Sequence, residues 1–314
     1  MRHLIELGTR APSLHNSQPW LFRPGDDGIE ILADPARTTP VSDPTGWAAR
    51  LALGAAAFNV RLGFAESGRL AVTEVFPDDG VVVRVRPVGE RPATPAERAL
   101  IDAIPRRHSN RRPYRDEPVP DAVLAALVDA AAAEACRLTV LGPAAVTEVA
   151  DLIAAADDVL EHRPGYAAER RRWMRGGPAA DGVRADRVAG RPDPGERLRR
   201  RDYGARLGAP SRRYESDPCL AVLSSSGAGR HDDVRAGRAL QHVLLRATAS
   251  GLTASMFSQP IEVAGARARL AALTGGGTPQ MVLRVGYGPA HEPAPRRPAD
   301  EVTCAPALPG TPTE

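Results

Sequence analysis

The densest run of ligand-capable polar side chains is Ala11-Pro12-Ser13-Leu14-His15-Asn16-Ser17-Gln18-Pro19-Trp20. Asn and Gln each carry a donor and an acceptor on one side chain, which suits the edge of a heterocycle that also carries both. Asn16 and Gln18 can therefore read a ring such as a flavin pyrimidine, with Ser13 on a more polar part of the ligand. Pro12 and Pro19 stiffen the two ends. Taken alone, the stretch reads equally as a polar turn capping a hairpin. A second segment, Arg106-Arg107-His108-Ser109-Asn110-Arg111-Arg112, alternates Arg107, Ser109 and Arg111. In an extended strand these three share one side; on a helix they spread. Fork-shaped guanidinium donors beside a hydroxyl suit a phosphate. In a chain with 41 Lys+Arg, such a run also reads as a solvated face. Arg296-Arg297-Pro298 is a third and weaker basic feature.

Other chemistries lack their residues. His3, His15, His108, His162, His231, His242 and His291 form no metal-spaced pair, so no metal site is expected. Cys136, Cys219 and Cys304 are sparse and odd in number, without CxxC spacing. They read as small buried hydrophobes rather than disulfide partners or zinc ligands. No GxGxxG follows a strand and no GxxxxGK[ST] is present. Ser224-Ser225-Ser226-Gly227 is not the G-x-S-x-G of a hydrolase elbow.

Strands and helices must position these groups. Trp20–Phe22 and Ile29–Leu32 flank Pro24-Gly25-Asp26-Asp27-Gly28 and predict a hairpin. Leu51, Ala55, Phe58 and Leu62 predict a long helix over Thr45–Ser67, stopped by Gly68. Strands are expected at Ala71–Phe76 and Val81–Val85, then a Pro-containing linker at Pro87–Pro95. Helices are expected at Pro95–Ile104, Asp121–Ala133, Ala145–Leu160, Val234–Ser250 and Ile261–Leu273. Strands are expected at Leu138–Leu141, Cys219–Ser224, Leu252–Phe257 and Gln280–Val285. This mixture implies an α/β or α+β architecture. Residues 161–215 hold 15 Arg against 8 acids, with many Gly and Pro, and predict a long loop acting as a lid or a disordered insertion.

A faint repeat runs through the chain. Gly54–Gly68 and Gly237–Gly251 align at an offset of 183 residues, which also matches Ala56 with Ala239, Val60 with Val243, Leu62 with Leu245 and Ser67 with Ser250. If genuine, it makes the chain two related halves folded against each other. Small residues on the two helices then allow close approach across the centre.

The chain has 314 residues, 43% hydrophobic and 25% charged, which is globular composition. All 41 basic residues are Arg, a bias that weakens any argument from Arg abundance alone. A net charge of +3 is too small to imply a nucleic-acid partner. No apolar run is long enough for a membrane span, and Met1–Arg10 does not read as a signal peptide, so the cytoplasm is the expected compartment.

Together the three polar features resemble the nitroreductase-like flavoproteins, and within them the Acg-like branch. The pattern A-P-S-x-x-N-x-Q-P-W is carried by Ala11 to Trp20, and R-x-S-x-R by Arg107, Ser109 and Arg111. Asp43-Pro44-Thr45-Gly46, the ending Val285-Gly286-Tyr287-Gly288 with Arg296-Arg297, and Trp173–Val183 also match. The resemblance implies an α+β nitroreductase-like fold with FMN as cofactor and NAD(P)H as transient co-substrate. Family members dimerise, one subunit supplying the basic segment and the other the P-S-x-x-N motif. Here the first half, 1–92, keeps one motif and the second half, 93–314, keeps the other. The implied molecule is a covalent pseudo-dimer with one complete flavin site and one degenerate one.

The resemblance also assigns roles. Pro12, Ser13, Asn16 and Gln18 line the flavin. Arg107 and Ser109 hold its phosphate, helped by Arg296 or Arg297. Arg111 approaches the N1/O2 edge, and Arg213 is a further basic candidate. Ser255, Met256, Phe257 and Ser258 line the N5 side. No protein nucleophile is required, because the flavin carries the chemistry. The implied activity is hydride transfer from NAD(P)H to an electron-poor acceptor such as a nitroaromatic or quinone. The alternative is a flavin-sequestering protein whose lid excludes nicotinamide. A monomer is viable, and a homodimer would use a different face.

Overall fold

The computed structural model describes all residues except 27, 185–197, 200, 202–214, 290–291 and 306–314. The chain opens with helix α1 (Arg2–Thr9), whose Leu4, Ile5, Gly8 and Thr9 are buried. Strands β1 (Trp20–Gly25) and β2 (Gly28–Ala33) form the expected hairpin. Helix α2 (Trp47–Glu66) is buried on nearly every side. Strands β3 (Arg69–Val75) and β4 (Val81–Glu90) complete an antiparallel sheet of order β1-β2-β4-β3. β4 runs through Pro87, where a linker was expected. Pro87 faces a register shift between Leu70 and Ala71, the sort of irregularity at which a strand tolerates a missing N–H. Helix α3 (Pro95–Ala103) starts at a Thr94/Glu97 capping box.

Beyond residue 92, α3 is followed by α4 (Asp121–Ala132), β5 (Arg137–Val140), α5 (Pro143–Glu161), α6 (Tyr166–Arg172), β6 (Met174–Arg175) and β7 (Val183–Arg184). The chain continues with β8 (Cys219–Ser225), α7 (Arg230–Ala249), β9 (Thr253–Phe257), α8 (Gln259–Glu262), α9 (Ala264–Leu273), β10 (Thr278–Gly286) and α10 (Ala299–Val302). A second antiparallel sheet has the order β5-β8-β10-β9. The helix expected over Ile261–Leu273 is broken at Val263, whose backbone is extended (φ −118°, ψ 111°). The loop expected from 161 onward contains α6 and the short parallel pair β6–β7. Its arginines conceal the pattern: Arg170, Arg171 and Arg172 sit in the last turn of α6, where cations complement the helix dipole.

The two long helices α2 and α7 run side by side in the same direction at the centre. A Cβ on Gly54 would lie 2.1 Å from the Val234 carbonyl oxygen, and a Cβ on Gly237 would lie 2.0 Å from that of Leu51. Only glycine permits this approach. The pairs 51/234 and 54/237 obey the offset of 183 seen in the sequence, and so does the ion pair between Arg50 and Asp233 (2.8 Å). Further along, Phe58 stacks on His242 at 4.9 Å, while Gln241 donates to Asn59 at 2.8 Å. Residue i meets the counterpart of j, and j meets the counterpart of i, as in a two-fold interface.

Candidate functional site

The Ala11–Trp20 stretch folds into a strained turn. Ser13 is extended, and Leu14–Asn16 form one short 3-10 turn. His15, Asn16 and Gln18 have φ of 52°, 54° and 54°. Left-handed backbone at non-glycine residues costs on the order of 1–3 kcal/mol each and persists only where surroundings enforce it. One enforcing contact is local: the Gln18 amide N–H donates to Ser13 Oγ at 3.0 Å.

The basic segment is extended. Ser109 bridges Ala254 of β9 in parallel, and the Asn110 N–H donates to the Ala254 carbonyl at 2.9 Å. Asn110 turns its buried amide away to Pro289 and the Arg112 N–H. The flanking residues Arg107, Ser109 and Arg111 all face one cleft, as alternation in an extended strand requires.

One end of that cleft is walled by Pro12, Ser13 and Asn16 on one side and by Arg107, Ser109 and Arg111 on the other. Arg296 and the segment Gly182–Arg184 close its sides. Arg107 is 4% exposed. Its Nη2 donates to the Arg10 carbonyl at 3.2 Å, whereas Nε and Nη1 are buried without a hydrogen-bond partner. No carboxylate among the described residues pairs with it. Burial, with the Arg10 charge behind it, pushes its pKa down to about 10. Arg296 is pushed down to about 9 by burial and by Arg107 and Arg10, and its guanidinium is tied to the carbonyls of Thr9, Ala11, Ala294 and Pro295. A buried cation with unmet donors, Arg107, beside the half-buried Arg296 forms a site for an anion.

The cleft continues past Pro12, Ser13, Arg111 and Met256 into a second, largely apolar chamber. Ser255, Phe257, Ser258 and Gln259 line one wall, and Trp47 and Leu51 of α2 another. Arg201 also reaches this chamber, donating to Ser258 Oγ at 3.3 Å and to the buried Glu262 carboxylate at 2.6 Å. His15, beneath Pro12, is buried, and burial together with Arg201, Arg111 and Arg170 holds its pKa well below the usual histidine range.

Eleven of the fourteen residues singled out from the sequence thus line one continuous cleft. Gln18 and Arg297 do not. Gln18 is fully buried behind the turn, and Arg297 binds Asp34 and the Glu301 carbonyl. Arg213 lies outside the described residues. Trp47 was not among the residues singled out, whereas Arg201 and Gly182–Arg184 belong to the stretch 161–215 expected to act as a lid, though none was singled out by itself. Trp47 follows the Asp43–Gly46 turn, and its indole donates to Gln280 at 2.5 Å. A tryptophan placed directly after that turn, in a chain with 4% aromatics, is the available signal. Arg201 is inconspicuous among its neighbouring arginines.

A sequence profile of the Nitroreductase family matches residues 104–287. Two Mycobacterium tuberculosis (strain H37Rv) proteins, each named "Putative NAD(P)H nitroreductase", align along most of the chain. Rv3131 is 33% identical over 96% of this chain and 90% of its own, and acg is 30% identical over 96% and 94%. A solved nitroreductase with bound FMN from Desulfitobacterium hafniense DCB-2 aligns with 65% of this chain and 95% of its own, at 18% identity and a TM-score of 0.42. No helix among the described residues is long and apolar enough to cross a membrane. On the family profile and the identity to these relatives, the chain belongs to the nitroreductase family.

Proposed function

We propose that this protein is an FMN-dependent oxidoreductase that takes hydride from NAD(P)H and delivers it to an electron-poor acceptor such as a nitroaromatic or quinone. The observation that carries the reading is Arg107, a buried guanidinium with two unmet donors that lines the cleft. A phosphate monoester meets that need, with Ser109 beside it. The apolar chamber beyond, walled by Ser255–Ser258, suits a planar ring. Arg111 sits where both chambers meet, so a ring reaching from one to the other passes its positive charge. Such a charge favours electron density on the bound ring. When bound, the flavin supplies the hydride chemistry, and the residues bind, orient and shield it. The halves 1–92 and 93–314 each contribute one side of this site, in keeping with a pseudo-dimer.

A second reading, flavin sequestration, draws support from Gly182–Arg184 and Arg201, which all lie in the stretch 161–215 and line the cleft. One experiment separates the two. The purified protein is loaded with FMN, its absorption spectrum recorded, and NADPH or NADH titrated in anaerobically. Bleaching of the flavin band supports turnover. A protein that retains FMN without bleaching is a sequestering protein, and one that takes up no FMN refutes both readings.

A further inference from the structure

Gln18 and Asn16 occupy the motif positions that the sequence assigns to reading the flavin edge, yet their amides face main chain from two other parts of the molecule. Gln18 Nε2 donates to the Ala180 carbonyl at 2.7 Å and approaches the Asn16 carbonyl at 3.5 Å. Its Oε1 accepts the Arg297 amide N–H at 2.9 Å. Asn16 Nδ2 donates to the carbonyls of Gly182 (3.1 Å) and Pro295 (3.3 Å), and the Gly182 N–H returns a bond to the Asn16 carbonyl at 3.2 Å. These partners fix both amide orientations, because a carbonyl must receive an N–H and an N–H must meet an oxygen. Gln18 has no exposed surface.

We infer that Asn16 and Gln18 are positioning residues, a bracket that joins the 180–184 wall of the cleft to the 295–297 segment carrying Arg296. The three left-handed residues of the turn aim both amides outward from the loop to reach these partners. Both targets line or adjoin the anion end: Gly182, Val183 and Arg184 on one side, Pro295 and Arg296 on the other. Next to the bracket, Arg37 ties the Ser17 carbonyl (2.8 Å) to Asp181 (2.7 Å) and reinforces the same junction. The bracket therefore governs how long the cleft wall stays shut, and hence how fast a bound flavin leaves. It does not discriminate between flavins. That last consequence rests on the flavin reading above; the bracket itself does not.

The test uses Gln18→Glu, which keeps size and the acceptor for Arg297 but removes the donor to Ala180. Two quantities are measured on the full-length protein: backbone hydrogen exchange along the chain, and the release rates of FMN and riboflavin. Loss of a buried donor from a satisfied pair speeds opening on the order of tenfold or more. The expected result is faster exchange at 180–184 with β8 and β10 unchanged, and equal acceleration of FMN and riboflavin release. Unchanged exchange at 180–184 overturns the bracket. So does slower flavin uptake without faster exchange, which would make Gln18 a direct ligand reader. If the unmodified protein takes up neither flavin, the flavin reading fails while the exchange measurement still decides the bracket. If Gln18→Glu does not fold, backbone exchange at 180–184 in Asn16→Asp, which removes the donor to the Gly182 carbonyl, decides the bracket without the flavin measurement.

Discussion

At the scale of single residues, charge without a partner is the most informative observation. Arg107 is buried, depressed in pKa and short of two hydrogen-bond partners. Replacing it with alanine removes a charge-assisted contact to phosphate worth roughly 1.5–3 kcal/mol. FMN affinity of Arg107→Ala should fall on the order of 10- to 100-fold, while riboflavin, which lacks the phosphate, should bind almost as before. Fluorescence titration with both flavins checks this. Arg112→Ala, at an exposed neighbour, is the control and should change neither value. Equal losses for the two flavins at Arg107 would assign the segment to the fold rather than to the phosphate.

Asp157 of α5 is a second buried charge, 1% exposed, paired at long range with the Arg199 guanidinium (3.5 Å) and the Gln259 amide (3.5 Å). Burial pushes its carboxyl up to about 6, against attraction from Arg201 and Arg199. A folded-state pKa above the unfolded value means a contribution to stability present at low pH and lost as pH rises through about 6. Asp157→Asn should therefore match the parent near pH 4 and exceed it by roughly 1–3 kcal/mol near pH 7.5. Denaturant titration at both pH values measures it. A variant less stable at the higher pH would show that pairing with Arg199 outweighs the cost of burying the charge.

At the scale of elements, the α2–α7 crossing makes the strongest demand on sequence. A methyl group at Gly54 or Gly237 meets a backbone oxygen, which cannot swing aside as a side chain can. Gly54→Ala and Gly237→Ala should each cost roughly 1–3 kcal/mol despite the better helix propensity of alanine. Gly265→Ala in α9, with open space around it, should cost nothing. Thermal melts of the three variants suffice. Equal costs at the two crossing positions are the signature of their reciprocal geometry.

The same scale shows what was legible beforehand. The long helices, the hairpin and the strands of both sheets follow from periodicity and turn residues, because α2, α7, β8 and β10 are long enough for a pattern to repeat. Helix α1 spans eight residues and shows barely two turns of pattern. Helix α6 is masked by consecutive arginines, and the break at Val263 falls between Pro260 and Gly265 at a β-branched residue rather than at either of them. In the site, Arg107, Ser109 and Arg111 were legible because their alternation needs only an extended strand. The partners of Gln18 were not: Ala180 lies 162 residues away, and a main-chain carbonyl leaves no mark in a residue pattern. A side chain's type is local information, while its partner is set by the whole fold.

At the scale of the molecule, the two sides of the cleft come from segments far apart in the sequence. Pro12–Asn16 and Arg107–Arg111 meet beside the α2–α7 crossing, and Arg107 donates directly to the Arg10 carbonyl. If only one complementary pair of motifs exists, saturation should occur at one FMN per chain, read from the flavin-to-protein absorbance ratio. Two tightly bound flavins per chain would contradict a single complete site. Light scattering should give the mass of a single chain, or of a dimer that leaves α2 and α7 packed within each chain.

The crossing of α2 and α7 also sets how the protein behaves on dilution. Between separate subunits, an interface of this kind dissociates as concentration falls, and melting temperature falls with it. Here a continuous backbone joins the two helices, so each is presented to the other at a fixed effective concentration that no dilution lowers. The melting temperature should stay constant from nanomolar to micromolar protein. A cleft assembled this way remains whole when few copies of the chain are present.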